Sequence, residues 1–304
     1  MDVKNIRKGM ARFAGWLGFQ ACSLIIRHIP AAYLYGFARF IGVVGYRLAA
    51  RHRRIALDSL SIAFGKEKTP QELQDIARDC FIFLAKAGVE LIFLMDRPAL
   101  LRKRVSMVGG EHLEKALAGA RGVILISAHF GNFPLLMAKL ALSGYKVGGI
   151  MRPMRDARME KVFLQKRTRM NINTIYSQPR NACVYNTIEA LRKNEIIFIP
   201  IDQNFGTGGV FVDFFGTKAA TATGPVVLAQ RTNAALIPCF IIRQPDDTHK
   251  IIFEPALNLV AGNNSEETVL INIQRLTNII ESYIRRYPAE WGWIHRRWKS
   301  RPSG

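Results

Sequence analysis

The chain is poor in three things. Of its 304 residues only four are cysteine, Cys22, Cys80, Cys183 and Cys239. Their wide spacing holds no C-x-x-C and no paired-ligand pattern. A disulfide framework and a zinc site are thereby argued against, and buried thiols in a reducing compartment are the expectation. Acidic residues are scarce: 23 Asp and Glu face 43 Lys and Arg, a formal charge of +20. That excess calls for an anionic partner, whether nucleic acid, an acidic membrane surface or an acidic protein. Finally, no uncharged apolar run is long enough to cross a bilayer. Residues 13–26 give about 14 positions, where a span needs about 20, and residues 31–50 are interrupted by Arg39 and Arg47.

What is present points to a folded protein. Hydrophobic residues make up 49%, enough to fill a sizeable core, so disorder is not a reading. Basic residues crowd both ends of the amino-terminal apolar region: Lys4, Arg7 and Lys8 before it, Arg51, Arg53 and Arg54 after it. No small-residue cleavage signature accompanies them. The combination predicts helices lying in a membrane interface with snorkelling basic flanks, the competing reading being a buried helical hairpin.

Further along, Thr69-Pro70-Gln71-Glu72 is a capping box with Pro at the first helical position. It predicts a long helix running to about Met95. From Gly122 onward, short apolar runs alternate with helical patterns. Strands are expected at 123–126, 145–151, 174–176, 196–201 and 235–242, and helices at 135–142, 157–170, 182–193 and 223–231. A final amphipathic helix starts near Asn264 and stops at Pro288. Such alternation predicts an α/β fold whose mostly parallel central sheet is flanked by helices.

Three of these strands end in conspicuous polar residues. His129 follows the first, in Ser127-Ala128-His129-Phe130-Gly131-Asn132-Phe133-Pro134; Arg152 follows the second; Asp202-Gln203-Asn204 follows the third. Open α/β sheets place their chemistry beyond the carboxyl ends of parallel strands. If the three strands are neighbours, a base, a cation and a carboxylate share one cleft. A neutral imidazole there can take a proton from an alcohol near neutral pH. Gly131 and Asn132 open the next helix, where N–H groups can hold a phosphate or a developing oxyanion, although Asn132 can equally be a plain helix cap.

Other features carry less. Gly206-Thr207-Gly208-Gly209 lacks the Lys-Ser/Thr of a phosphate loop and reads as a flexible turn; Thr221 to Pro225 reads as a helix cap. The tail from Trp291 to Lys299 mixes aromatics with cations, which suits nucleic-acid stacking, a headgroup-level contact or simple packing. His28, His52, His112 and His249 stand alone, without metal spacing. Nucleic acid is disfavoured as a partner, because the basic residues are dispersed and follow no reading motif.

Taken together, Ser127 to Asn132, Met151-Arg152-Pro153, Asp202-Gln203-Asn204, Phe214-Phe215-Gly216 with Ala222 to Pro225, and Trp293 to Lys299 resemble the bacterial lipid A biosynthesis acyltransferases. These are the lauroyl/myristoyl branch of the lysophospholipid acyltransferase superfamily. The resemblance runs from about Arg51 to Pro302. It implies a membrane-anchor segment over residues 1–54 and a catalytic domain over 55–304, on the cytoplasmic face of the bacterial inner membrane. It implies acyl transfer from acyl carrier protein to a hydroxyl of an anionic glycolipid, with no metal and no nucleotide cofactor. His129 would be the general base, with Gly131, Asn132, Arg152, Gln203 and Asn204 at the substrates.

One position departs from the pattern. The family places Asp or Glu where this chain has Pro134, and that carboxylate orients the histidine. Asp202 is the expected substitute, reaching His129 from a neighbouring strand end. The rival expectation is a lipid-binding relative in which the reaction is slow or lost.

Overall fold

A computed structural model describes residues 3–302, apart from the side chains of residues 3–8, 11 and 207. The side chains of Lys4, Arg7 and Lys8, expected to flank an anchor, lie outside the described residues. Five helices come first: α1 (Val3–His28), α2 (Ala31–Leu48), α3 (Ala50–Phe64), α4 (Pro70–Leu94) and α5 (Pro98–Arg104). There follow β1 (Val105–Val108), α6 (Gly110–Ala118), β2 (Val123–Ser127), α7 (Phe133–Leu142), β3 (Val147–Met151), α8 (Ala157–Arg169), β4 (Ile172–Tyr176), α9 (Arg180–Arg192) and β5 (Ile196–Pro200). A hairpin of β6 (Val210–Phe214) and β7 (Thr217–Thr221) precedes α10 (Gly224–Thr232), β8 (Ala235–Arg243), β9 (His249–Phe253) and α11 (Ser265–Arg286).

Seven strands form one sheet in the order β1-β9-β8-β2-β5-β3-β4. Every pairing is parallel except β8 with β9. The reason is legible in composition. All five residues of β2 are buried, as are the first four of β5, and strands covered on both faces read as unbroken apolar runs. Ile124, Ile126, Ile197, Ile199 and Phe240 pack on one side with α11; Val123, Leu125, Ile196, Phe198 and Ile237 pack on the other with α7. Burying one such side chain stabilises the fold by about 1.5–3 kcal/mol, so the middle of the sheet is its firmest part.

The capping box forms as expected: Thr69 Oγ1 accepts from the Glu72 N–H (3.3 Å), and the Thr69 N–H donates to Glu72 Oε2 (2.7 Å). Asn264 caps α11 by accepting from the Glu267 N–H (2.9 Å). The strands β1, β9 and the β6–β7 hairpin were not expected, because each is short or alternates polar residues.

The amino-terminal helices differ from a free anchor in one respect. Leu34, Ala38 and Gly42 of α2 are buried. A Cβ at Gly42 would sit 2.5 Å from the Cα of Ile82, so α2 crosses α4 at backbone contact that only glycine permits. Outer positions remain apolar and exposed, among them Phe13, Leu17, Leu24, Tyr33 and Phe40. No helix among the described residues is long and apolar enough to cross a membrane.

Candidate active site

β2 and β5 are neighbours with Ser127 opposite Pro200. His129 and Asp202 each lie two residues past that pair, so the register alone brings them level at the carboxyl edge of the sheet. Their side chains meet: His129 Nδ1 is 2.8 Å from Asp202 Oδ1. The other carboxylate oxygen accepts from Trp291 Nε1 at 2.8 Å. Asp202 is buried, whereas the His129 side chain keeps 29% of its surface open.

The electrostatics follow from that contact. Burial pushes the Asp202 carboxyl up, but the imidazole charge, its hydrogen bond and the Trp291 N–H outweigh it and hold the group at about 2. Burial pulls His129 down, but the Asp202 charge and hydrogen bond outweigh it, leaving the ring above its ordinary value. An ionised Asp202 fixes the proton on Nδ1, so the lone pair of a neutral ring sits on Nε2. An imidazole with one nitrogen tied to a carboxylate and the other free can accept a proton from a substrate hydroxyl.

The chain around His129 is clamped. Phe130 bridges Trp291, the His129 carbonyl accepts from the Gly292 N–H (3.3 Å), and the Gly131 N–H donates to the Glu290 carbonyl (2.9 Å). Gly131 has φ +59°, and a Cβ there would lie 1.9 Å from the Ile241 carbonyl oxygen, so no other residue fits. Phe133 meets the His129 ring edge-on at 5.4 Å and stacks on Phe198.

These contacts bear on the groups expected at the start of α7. The Gly131 N–H is already spent on Glu290 and cannot serve an oxyanion. Asn132 makes no side-chain cap bond to α7; its amide is buried and turned inward, donating to Glu90 Oε2 (2.9 Å) and the Ala87 carbonyl (3.3 Å). The Gly131 N–H and the Asn132 side-chain amide are thus engaged inside the protein, while the main-chain N–H of Asn132 has no acceptor among the described residues.

The remaining expected residues divide. β3 lies next to β5, so Arg152 projects from the same edge; it is exposed and makes no ion pair among the described residues. Gln203 is exposed, with Nε2 3.3 Å from His295 Nε2. Asn204 is turned to the carboxyl-terminal tail instead: its amide donates to Ser300 Oγ (3.1 Å) and accepts the Ser300 N–H (3.3 Å). The tail itself is mostly core. Trp291, Trp293, Arg297 and Trp298 are buried and pack in the core, while His295, Arg296 and Lys299 are exposed. Arg297 donates to the carbonyls of Gln203 (3.1 Å) and Ala220, and burial pulls its guanidinium down to about 10.

Two contributors to the site escape sequence reasoning. Trp291 fixes Asp202, and His295 stands beside His129 with ring centroids 5.9 Å apart. Their only signal is the aromatic and cationic density of the tail, which reads equally well as surface. No group of three or more His, Cys, Asp or Glu placed to hold a metal ion occurs among the described residues.

Comparison with known proteins identifies the family. The family of bacterial lipid A biosynthesis acyltransferases matches residues 4–300. The lipid A biosynthesis lauroyltransferase of Escherichia coli is 26% identical over 296 residues, covering 95% of this chain and 92% of that protein. The palmitoleoyltransferase of the same bacterium is 27% identical over 300 residues, with the same coverage. A phosphatidylinositol mannoside acyltransferase of Mycolicibacterium smegmatis is 24% identical over 286 residues, covering 93% and 90%. The chain therefore belongs to the bacterial lipid A biosynthesis acyltransferase family and is an O-acyltransferase.

Proposed function

We propose that this enzyme moves a fatty acyl chain from the thioester of an acyl carrier protein to a hydroxyl of a lipid A precursor or a related glycolipid. The observation that carries the reading is the His129–Asp202 contact at the open edge of the sheet, with no partner for Nε2 of the imidazole among the described residues. In the reaction, Nε2 takes the proton of the acceptor hydroxyl while its oxygen attacks the thioester carbonyl. The carbon–sulfur bond then breaks, and the departing thiolate receives the proton back from the imidazolium. Asp202 holds the ring's orientation and stabilises its charge. Arg152 binds a phosphate of the acceptor or of the carrier's prosthetic arm.

Both substrates are anionic, which matches the +20 charge. The exposed apolar side chains of α1 and α2, with Arg12, Arg27, Arg39 and Arg47 among them, support seating the enzyme on the cytoplasmic face of a bacterial inner membrane. Pro134 favours the rival, a lipid-binding relative without activity. Asp202 weighs against it, because it supplies from the loop after β5 the carboxylate that Pro134 lacks.

Radiolabelled transfer from lauroyl- and palmitoleoyl-acyl carrier protein to a lipid A precursor tests the assignment. General-base help contributes about 10²–10⁴-fold. His129→Ala should lose at least a hundredfold of the rate while melting like the wild type. A variant that turns over within threefold of wild type would rule out His129 as the base.

A further inference from the structure

The segment that closes over the His129–Asp202 pair comes from far along the chain, and one residue of it touches both halves. Trp291 pairs through its main chain with Phe130, flanked by the Gly131 N–H on the Glu290 carbonyl (2.9 Å) and the Gly292 N–H on the His129 carbonyl (3.3 Å). Its indole N–H donates to Asp202 Oδ2 (2.8 Å), while Asp202 Oδ1 faces His129 Nδ1 at the same distance. Trp291 and Asp202 are both buried, so bulk water competes poorly for the indole bond. Phe214, Trp293 and Trp298 meet the Trp291 ring edge-on, and the Cys80 thiol donates to its carbonyl (3.2 Å).

The two donors on this carboxylate compete. When His129 is neutral, the full charge of Asp202 rests against the imidazole N–H and the indole N–H. When His129 takes a proton, the imidazolium draws that charge toward Oδ1 and the indole bond weakens. The indole N–H therefore favours the neutral ring, the form that accepts a proton from a hydroxyl. Asp202 by itself pulls the other way and raises the ring above its ordinary value. Few other titratable groups bear on the pair. His295 has its ring beside His129, and the Arg297 charge reaches Asp202, but among the described residues neither is hydrogen-bonded to the Trp291 indole. From α7 the contact with His129 is the uncharged Phe133 ring, and the Glu290 carboxyl turns to the Arg243 N–H.

We propose that Trp291 is the positioning residue of the pair: its indole N–H holds the Asp202 carboxylate and limits that carboxylate's grip on the His129 proton, so that the ring stays neutral and able to accept a proton over more of the neutral pH range. No covalent bond changes at Trp291 and no proton leaves it. The proposal rests on the acyl-transfer reading above.

In the full chain, Trp291→Phe keeps an aromatic ring and removes the N–H. Should that variant not fold, benzothienylalanine at position 291, with sulfur in place of the N–H, keeps the tryptophan shape. Trp293→Phe is the control, because Trp293 donates to the Pro288 carbonyl (2.6 Å) and not to the pair. Nuclear magnetic resonance of histidine-labelled protein, with the His129 signal identified by its loss in His129→Ala, follows the ring's titration without substrate. The pH dependence of transfer from lauroyl- and palmitoleoyl-acyl carrier protein to a lipid A precursor follows it through the rate. Loss of the indole N–H should move the titration and the acid limb of the rate to higher pH by roughly half a pH unit to one, opposite in direction to Asp202→Asn. Below the limb the rate should fall about three- to tenfold, with the plateau within about threefold of wild type. Trp293→Phe should leave both in place. A His129 titration that stays put or moves to lower pH overturns the proposal, as does an equal upward move in Trp293→Phe. Absence of any transfer by the wild-type chain sinks the acyl-transfer reading and this inference together, whereas robust transfer with a His129 titration indifferent to residue 291 sinks the inference alone.

Discussion

Among the described residues two histidine–carboxylate pairs occur, and they differ in what surrounds them. In the first, His129 keeps 29% of its side chain open while Asp202 keeps 2%. In the second, His249 and Glu90 are both at 0%. Glu90 is a junction. It accepts from His249 Nε2 (3.1 Å), from both terminal nitrogens of Arg243 (2.7 and 2.8 Å), from Asn132 (2.9 Å) and from Tyr35 (3.0 Å). One carboxylate thus ties α2, α4, β8, β9 and the loop after β2. The same chemical pair serves reaction at the open edge and architecture in the interior, and exposure of the second ring nitrogen separates the roles. No substrate reaches His249, whose Nδ1 is buried without a partner among the described residues.

The comparison breaks most visibly at Glu90. Burial alone would raise its pKa, but the His249 contact and the Arg243 guanidinium reverse that and hold it at about 2. Glu90→Ala leaves Arg243 buried without its principal counter-ion, a class of change that costs about 3–5 kcal/mol. Urea unfolding near pH 7 should show a loss of that order. Because the folded pKa is depressed, the pair's stabilisation is present above the unfolded value of about 4.3 and fades as pH falls toward 2. A variant as stable as wild type would demote Glu90 from junction to bystander.

At the open pair the expected signature is kinetic. Asp202→Asn removes the charge that raises His129 and leaves burial, which lowers it. The working form is the neutral ring, so the wild-type rate should climb with pH through a value above the ordinary histidine range. In the variant that acid limb should move to lower pH, while the maximal rate falls by about 10²-fold for want of an oriented imidazolium. An unmoved limb would mean that the limb belongs to another group.

The two pairs also differ in how much of them the sequence discloses. β2, β5 and β3 stand out because strands buried on both faces must be continuously apolar, and the residues that follow them are then strand-end residues by necessity. Adjacency of those strands was an assumption, and the order β2-β5-β3 is what turns it into a His129–Asp202 contact. Nothing comparable marks Glu90. It is one acid in an apolar stretch of α4, and its partners Arg243 and His249 lie 153 and 159 positions away, so no local spacing links them. The tail misleads for a related reason: Trp291, Arg297 and Trp298 have the composition of a wet surface, but the two indole N–H groups donate to Asp202 and the Phe214 carbonyl and Arg297 Nη1 to the Ala220 carbonyl, all inside the fold.

Glu290 joins the two pairs and gives the finest test of the contrast. Its main-chain carbonyl receives the Gly131 N–H beside the open pair, and its carboxyl receives the Arg243 N–H (3.1 and 3.2 Å) beside the closed one. Burial, with a contribution from the Glu90 charge, lifts the carboxyl to about 7 against the pull of Arg243. A folded pKa above the unfolded one means that the native state keeps a proton the unfolded chain gives up. Stability should therefore fall as pH rises from about 4.3 to 7. Glu290→Gln keeps an acceptor for Arg243 and carries no charge, so the variant should gain on the order of 2 kcal/mol over wild type at pH 8 and little at pH 5. Urea titrations at the two pH values measure the difference directly. Transfer activity should change little, since the Gly131 clamp uses the main chain; an equal shift at both pH values would show that the carboxyl does not titrate in this window.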